Sequence, residues 1–196
     1  MRKLRHLASV EKNEEIFKAA ANLFFQKGFK GTSMKDIAEA VGLPPGGLYY
    51  YIKSKEKLLY EITTTGINIA LSELKEIEKS GLSTGEKFRE AVKSNVKVLL
   101  NHKNYLLIYL HHKKALSPEY YEDYKAFRDE VELVFLRILK DGVNESIFRD
   151  DEVRLMVFLV LGMCNGIPQW YDPDGKFNIE EIANYYADAA ERIVGK

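Results

Sequence analysis

Residues 32–59 carry the signals of two short helices separated by a tight turn. Ser33 is a good N-cap, and Asp36 stands three residues on, where its carboxylate can accept a hydrogen bond from the amide of the cap residue. Gly42 stands where a chain leaving a helix needs a positive φ. The dipeptide Pro44-Pro45 has φ already set for the first turn of a second helix and lacks amide protons that would have no partner there. The stretch therefore predicts a helix-turn-helix whose second helix begins at the prolines.

The second helix of a helix-turn-helix lies in the major groove of DNA, with its N-terminal residues toward the base edges. The stretch also resembles the DNA-binding signature of the tetracycline-repressor (TetR) family. The matching residues are Gly28-Phe29, Thr32-Ser33, Gly42-Leu43, Gly46-Gly47-Leu48-Tyr49-Tyr50-Tyr51-Ile52 and Lys55-Glu56-Lys57-Leu58. This resemblance covers about the first sixty residues and implies a transcriptional regulator. The remainder is similar to the family only in length and helical character.

Apolar residues recur at helical spacing along the rest of the chain, with no strand pattern, internal repeat or low-complexity stretch. The predicted helical segments are 10–27, 54–79, 84–102, 105–114, 118–142, 150–171 with a kink at Pro168, and 178–194. We therefore expect an all-α protein. The resemblance implies an N-terminal three-helix DNA-binding domain over residues 1–54, with the helix-turn-helix, and a larger helical effector-binding and dimerisation domain over residues 55–196.

Several residues around the helix-turn-helix are candidates for contact with DNA phosphates. In the family, the positions that match Tyr49, Tyr50 and Lys55 commonly contact phosphates. That role suits phenol hydroxyls and a lysine, which all donate hydrogen bonds to phosphate oxygens. Thr32 and Ser33 stand at the N-terminus of the first helix, where backbone amides favour anions. For both of them, capping of the helix is the alternative explanation.

The tip of the second helix departs from the family pattern. Family members usually carry a small hydroxyl residue at the position of Pro44, often a polar or basic one at Pro45, and often threonine at Gly47. Because these polar groups are missing, hydrogen-bond readout of the bases is thin. Apolar contact with thymine methyl groups, or close approach of the backbone at Gly46, must carry more of the recognition.

Charge is unevenly distributed although the formal net charge is zero. Residues 1–60 contain 11 Lys and Arg against 6 Asp and Glu, and residues 61–196 contain 18 against 23. A positive N-terminal third suits contact with phosphates, and an acidic remainder would stay off the DNA. Ordinary fluctuation in a solvated surface is the alternative explanation.

Aromatic residues crowd the stretch 102–135, and arginines stand on neighbouring predicted helices. A helical pocket lined in this way could hold a small, mostly apolar effector with a polar or anionic end. The candidate pocket residues are Arg89, Tyr105, Tyr109, Tyr124, Phe127, Arg128 and Trp170. Core packing explains the same aromatics equally simply. The stretch 162–175 resembles the tail of TetR-family members that control lipid breakdown, which makes acyl-CoA one candidate effector.

The last two helical segments carry apolar stripes and small residues, which suit a four-helix interface between two copies of the chain, the mode of homodimerisation that the resemblance implies. An ordinary intrachain core is the alternative. A palindromic double-stranded DNA operator would then be the partner of the dimer. The longest apolar run, 155–161, is too short to span a bilayer, and the start of the chain lacks a signal peptide, so we expect no membrane partner and a cytoplasmic protein.

Other function classes have weaker support in the sequence. His102, His111 and His112 are spaced nine and one residues apart, which does not place three ligands on one helix face, so we expect no metal site. No nucleotide-binding or nucleophile motif is present, and we expect neither a cofactor nor catalytic residues. A helical small-molecule-binding protein without specific DNA binding remains the alternative to a regulator, and a helical enzyme ranks behind both.

Overall fold

The computed structural model describes residues 2–44 and 46–195, and the side chains of that range from residue 11 onward. These residues form ten α-helices and one 3₁₀ turn. The helices are α1 (Arg2–Gly31), α2 (Met34–Ala40), α3 (Leu48–Tyr51), α4 (Lys55–Lys79), α5 (Thr84–Asn101), α6 (Lys103–His112), α7 (Pro118–Asn144), α8 (Val153–Asn165), α9 (Ile167–Trp170) and α10 (Ile179–Val194), with the turn at Lys113–Ala115. Within the described chain there is no strand, only an isolated bridge between Phe148 and Gly195. The prediction of an all-α fold is confirmed.

The chain packs into two compact units, of which the first combines residues 1–65 with residues 104–124. In this unit α2 packs against α1 and α3. The side chains between these helices are fully buried and include Ile16, Ala20, Phe24, Ile37, Ala38 and Leu48. The ring of Phe29 meets Phe24 edge to face, with 5.3 Å between centroids. This small apolar core positions α2 and the turn that follows it.

The second unit combines residues 66–103 with residues 125–196, and α5, α8 and α10 pack against one another within it. Its core includes Phe88, Val92, Phe135, Leu139, Val160 and Ala187. Two of its helices begin with capping boxes, in which Ser83 pairs with Glu86 and Asn178 pairs with Glu181. These units are divisions by packing, and the predicted functional boundary at residues 54/55 remains a prediction.

The structure differs from the sequence prediction at two helix boundaries. The helix predicted to begin at the prolines starts only at Leu48, because Gly46 and Gly47 are poor helix formers and instead form a turn. The long segment predicted over residues 150–171 is divided, since α8 ends at Asn165 and the short α9 begins at Ile167. Pro168 lies in the first turn of α9, where its missing amide proton is tolerated.

One stretch, Val153–Trp170, is long and apolar enough by composition to cross a membrane, and 33% of it is buried within the protein. Core helices of soluble proteins meet the same criterion, so the stretch is weak evidence for a membrane span. It also contains the boundary between α8 and α9. Its exposed apolar residues are considered below as a surface for contact with a second copy of the chain.

Candidate functional site

The start of α2 is held by the capping box that the sequence predicts. The Asp36 amide donates a hydrogen bond to Ser33 Oγ at 3.1 Å, and the Ser33 amide donates one to Asp36 Oδ2 at 2.7 Å. The Ser33 hydroxyl also donates to Asp36 Oδ2 at 2.6 Å. Hydrogen bonds from the Ser33 side chain, and then from its amide, hold the pKa of Asp36 below its ordinary value. Ser33 is exposed, but its hydroxyl already serves the helix cap.

The turn between α2 and α3 is built on two glycines. Gly42 has a φ of 64°, as predicted, which lets the Leu43 amide donate to the carbonyl oxygen of Ala38 at 2.9 Å. The Gly47 amide donates to the carbonyl oxygen of Pro44 at 2.8 Å. A Cβ atom at Gly47 would lie 3.2 Å from that oxygen and from two ring carbons of Pro44. The turn is therefore tight at residue 47.

The tip of the turn is open to solvent at Pro44 and Gly46, and a Cβ atom at Gly46 would meet nothing within 4 Å. The candidate contact at Pro45 lies outside the described residues. Neither Pro44 nor Gly46 offers a side-chain hydrogen-bond group. The geometry leaves room for close approach of a ligand to the backbone at this tip, which is consistent with the predicted readout by apolar contact.

Helix α3 separates its tyrosines from its core residues. Leu48 and Ile52 are buried, whereas the side chains of Tyr49 and Tyr50 are 54% and 85% exposed. Tyr51 is half-buried, and its ring packs edge to face on that of Tyr50, with 5.2 Å between centroids. Two phenol hydroxyls on one short helix therefore face solvent. They can donate to an anion without rearrangement of the core.

Lys55, predicted to contact phosphate, is bound within the protein. Its ammonium group donates to the carbonyl oxygen of Phe29 at 2.8 Å and to that of Thr32 at 2.7 Å. The same group lies 4.5 Å from the centroid of the Phe29 ring. An ammonium group has three N–H donors, so one remains for a ligand. Lys55 joins the start of α4 to the end of α1, and its phosphate contact remains a prediction.

The side chain of Thr32 does not face solvent. The residue is 1% exposed, and its hydroxyl donates to the carbonyl oxygen of Gly28 at 2.9 Å. The hydroxyl is therefore turned inward, and contact of Thr32 with phosphate remains a prediction. The hydroxyl satisfies an acceptor left at the end of α1, where Gly28 has a φ of 74° and interrupts the helix. Nothing local in the sequence distinguishes this inward orientation from an outward one.

The predicted effector residues fall into different surroundings, and three of them lie in the first unit. Tyr109 and Tyr124 are buried and stack on each other, with ring centroids 3.7 Å apart. Tyr105 is half-buried, and burial raises the pKa of its phenol above the ordinary value. The stacked pair is part of the packing of the first unit, and an effector contact of Tyr109 and Tyr124 remains a prediction.

The other four candidates lie in the second unit, and only one of them lines the groove described next. Arg89 forms ion pairs with Asp188 and Glu191 of α10, both at 2.7 Å. Phe127 packs against the core, and Trp170 is exposed. Arg128 alone of the predicted set lines a groove between α7 and α8. A pocket built from the predicted residues remains a prediction.

The α7–α8 groove has a volume of about 550 Å³, within the range of small-molecule sites. Its lining residues are Lys125, Arg128, Asp129, Glu132, Leu133, Leu136, Arg154, Val157 and Phe158. Sequence reasoning missed it because each contributing stripe looks like an ordinary amphipathic helix face. The available signal was the presence of Leu133 and Phe158 as large apolar residues beside basic ones.

The described part of the chain contains no group of three His, Cys, Asp or Glu side chains placed to hold a metal ion. Cys164 is buried in the second core, and burial raises the pKa of its thiol to about 12. A thiol in that environment remains protonated at neutral pH.

A capped short helix, a glycine turn and a second helix with exposed tyrosines define the class: a helix-turn-helix protein with a second helical unit. Comparison with known proteins gives the family. Residues 16–62 match bacterial regulatory proteins of the tetR family, and residues 81–194 match the tetracyclin repressor-like C-terminal domain. The chain belongs to the tetR family of bacterial regulatory proteins.

Individual relatives agree with this assignment. The chain is 32% identical to the TetR family transcriptional regulator PfmR from Thermus thermophilus, whose crystal structure it matches over 90% of this chain and 97% of that one with a TM-score of 0.83. It is 26% identical to the HTH-type transcriptional repressor KstR2 of Mycolicibacterium smegmatis over 89% of this chain and 86% of KstR2. It is also 25% identical to AibR in complex with isovaleryl coenzyme A and operator DNA, with a TM-score of 0.77 and coverage of 91% and 97%.

Proposed function

We propose that the protein is a cytoplasmic transcriptional repressor that binds a palindromic operator as a homodimer and is released by a small hydrophobic effector. The observation that carries the proposal is the exposure of Tyr49 and Tyr50 on the second helix of a helix-turn-helix. The relatives support it, because KstR2 is described as a repressor and AibR was solved with operator DNA. The mechanism rests on α3 entering the major groove.

Pairing through α8 and α10 is supported by their exposed apolar residues. Leu155 and Leu159 are exposed on α8 four residues apart, which places them on one face, and neither lines the α7–α8 groove. Tyr185 is 70% exposed on α10. Such a face costs free energy in water and suits an isologous contact with the same helices of a second copy. A two-fold dimer would present two α3 helices to the two half-sites of a palindrome.

Release by an effector follows from the geometry of a dimer. Two reading helices bind well only when their separation matches one helical turn of DNA or a multiple of it. A ligand with higher affinity for a dimer of another separation lowers operator affinity by its differential binding free energy. An acyl-CoA is the proposed effector class, supported by the isovaleryl coenzyme A bound to the related AibR.

The proposal is tested by fluorescence anisotropy of a labelled DNA fragment from upstream of the protein's own gene. Binding is measured at two salt concentrations, with and without palmitoyl-CoA. We expect tight binding that weakens steeply with salt and is abolished by the thioester. If palmitoyl-CoA does not change the affinity for DNA, the acyl-CoA effector is ruled out and the DNA-binding regulator is kept. Failure to bind any tested promoter would instead support a helical ligand-binding protein without specific DNA binding.

Replacing Tyr50 by phenylalanine should weaken operator binding about tenfold, because a hydrogen bond to a charged phosphate is lost. The loss should be similar on specific and unrelated DNA, since phosphate contacts carry no sequence information. The salt dependence should stay the same because the hydroxyl is neutral. Tyr121→Phe, which changes an exposed tyrosine of α7, is the matched control. Equal affinities for Tyr50→Phe and wild type would contradict the contact.

Replacing operator thymines by deoxyuridine removes the methyl groups that the tip at Pro44 and Gly46 can contact. Each contacted methyl group should contribute about fourfold to affinity, from the burial of one carbon. Replacing guanines by 7-deazaguanine removes a hydrogen-bond acceptor and should change affinity little, because the tip lacks side-chain donors. Both series are measured by anisotropy on the wild-type protein. A larger effect from 7-deazaguanine than from deoxyuridine would show that hydrogen bonds dominate the readout.

A further inference from the structure

We propose that the α7–α8 groove binds the effector, and that its ligand is an acyl chain with an anionic head group. The inference rests on the proposed function and adds the site and the ligand chemistry. It moves the effector site away from the aromatic cluster, since Tyr109 and Tyr124 stack on each other and Arg89 is occupied by two carboxylates. Arg128 is the one residue of the predicted effector set that also lines the groove.

The shape of the groove suits an elongated ligand. Its α7 wall runs from Lys125 to Leu136, and the lining positions recur every three or four residues, so they form one stripe along the helix. Eleven residues of rise correspond to about 16 Å of helix length. The α8 wall adds Arg154, Val157 and Phe158, again on one face. A flexible acyl chain can follow such a stripe.

The groove has an apolar wall in its middle. Leu133 and Phe158 are both large apolar side chains, and each is more than 40% exposed. Leu136 is half-buried and Val157 is buried, so they form the floor between them. A ligand that covers this exposed apolar surface removes it from water, which contributes favourably to the free energy of binding.

The charges on the rim favour an anion over a cation. Arg154 on α8 is exposed and makes no ion pair with a residue that the structure describes, and its guanidinium lies 5.7 Å from the centroid of the Phe158 ring. Arg128 contacts the carboxylates of Asp129 and Glu132, at 2.9 and 3.7 Å, and Lys125 adds a third cation. Three basic groups against two acidic ones leave one positive charge in excess. An arginine stacked beside an apolar wall can hold a phosphate or carboxylate in two parallel hydrogen bonds.

The anionic head could be the carboxylate of a fatty acid or the phosphates of coenzyme A, and the experiment separates these sources. Binding of palmitoyl-CoA, palmitate and coenzyme A to the full-length protein is measured by isothermal titration calorimetry. The variants are Arg154→Ala and Phe158→Ala, both at solvent-exposed positions. Arg137→Ala is the matched control, because Arg137 lies on α7 but pairs with Glu78 outside the groove.

We expect palmitoyl-CoA or palmitate to bind the wild type, and Arg154→Ala and Phe158→Ala each to weaken that binding about tenfold. Arg137→Ala should bind like the wild type. Preference for palmitoyl-CoA over palmitate identifies the phosphates as the head group, and the reverse preference identifies the carboxylate. Wild-type affinity in both groove variants would overturn the proposal.

Two further measurements separate this proposal from a dimer contact in the groove and from the proposed repressor function. Light scattering reports the oligomeric state, and a groove variant that becomes monomeric while it retains ligand affinity would show that a second copy fills the groove, which overturns the ligand site. Operator anisotropy reports the proposed function separately. Groove variants that still bind operator, but need about tenfold more ligand for release, support the site. Wild-type protein that binds the acyl ligand in the groove without binding any operator would contradict the repressor and leave the groove assignment intact.

Discussion

Replacing Lys55 by methionine should lower the free energy of unfolding by about 2–3 kcal/mol and weaken operator binding at least about tenfold. Methionine keeps an apolar stem against the Phe29 ring but removes the ammonium group, so the carbonyl oxygens of Phe29 and Thr32 lose their donor. The loss of these two hydrogen bonds therefore lowers the free energy of unfolding whether or not DNA is present. Urea denaturation followed by circular dichroism measures it.

The binding effect of Lys55 is separated from the stability effect by measuring anisotropy at a temperature where the variant is folded. If the third N–H of Lys55 contacts phosphate, the salt slope should fall by about one unit in addition. Lys53→Met is the matched control. Lys53 is exposed and lies two residues before Lys55, and its replacement removes the same charge. Its unfolding free energy should change by less than about 0.5 kcal/mol. Equal stability of the two methionine variants would refute the bonding role of Lys55.

Replacing Gly142 by alanine should destabilise the second unit by about 1–3 kcal/mol. A Cβ atom at this position would overlap the Phe148 ring, which is buried and meets Phe88 edge to face with 5.3 Å between centroids. The backbone cannot easily move away, because the amides of Ile147 and Phe148 donate to the Gly142 carbonyl oxygen at 2.8 and 3.1 Å. Thermal unfolding followed by circular dichroism measures the loss.

Gly85→Ala is the control for Gly142→Ala. A Cβ atom at Gly85 would meet nothing within 4 Å, and the residue lies in the first turn of α5. Alanine there should be neutral or stabilising by up to about 1 kcal/mol, because it restricts the unfolded chain. If both substitutions had the same effect on stability, the close contact with Phe148 would not explain why residue 142 has to be glycine.

Local features of the helix-turn-helix were predictable from the sequence because neighbouring residues determine them. The Ser33 and Asp36 capping box needs only a three-residue spacing, and the positive φ at Gly42 follows from the end of a short helix. Leu48 and Ile52 are buried as predicted, although Ile52 follows the end of α3 in extended conformation. These elements are positioned mainly by the chain within one or two turns of themselves.

The candidate sites were harder to predict because they depend on contacts between distant residues. The Thr32 hydroxyl turns inward to meet carbonyl oxygens at the end of α1, and a serine or threonine before a helix carries no sign of that direction. Arg89 pairs with Glu191, 102 residues away. The α7–α8 groove exists only once two amphipathic helices are placed side by side. Periodicity identifies the faces of such helices but not their partners.

The contact between Gly47 and Pro44 restricts how operator preference can change in this protein. A side chain at residue 47 would be only 3.2 Å from Pro44, so threonine there, on the present backbone, has to displace the proline ring. A smaller residue at position 44 would remove the two ring-carbon contacts. The choice of residue at position 47 is therefore coupled to the residue at position 44, and a library that varies both positions together should retain more intact turns than one that varies residue 47 alone. The two positions are best treated as a single unit of specificity, in laboratory selection and in natural divergence alike.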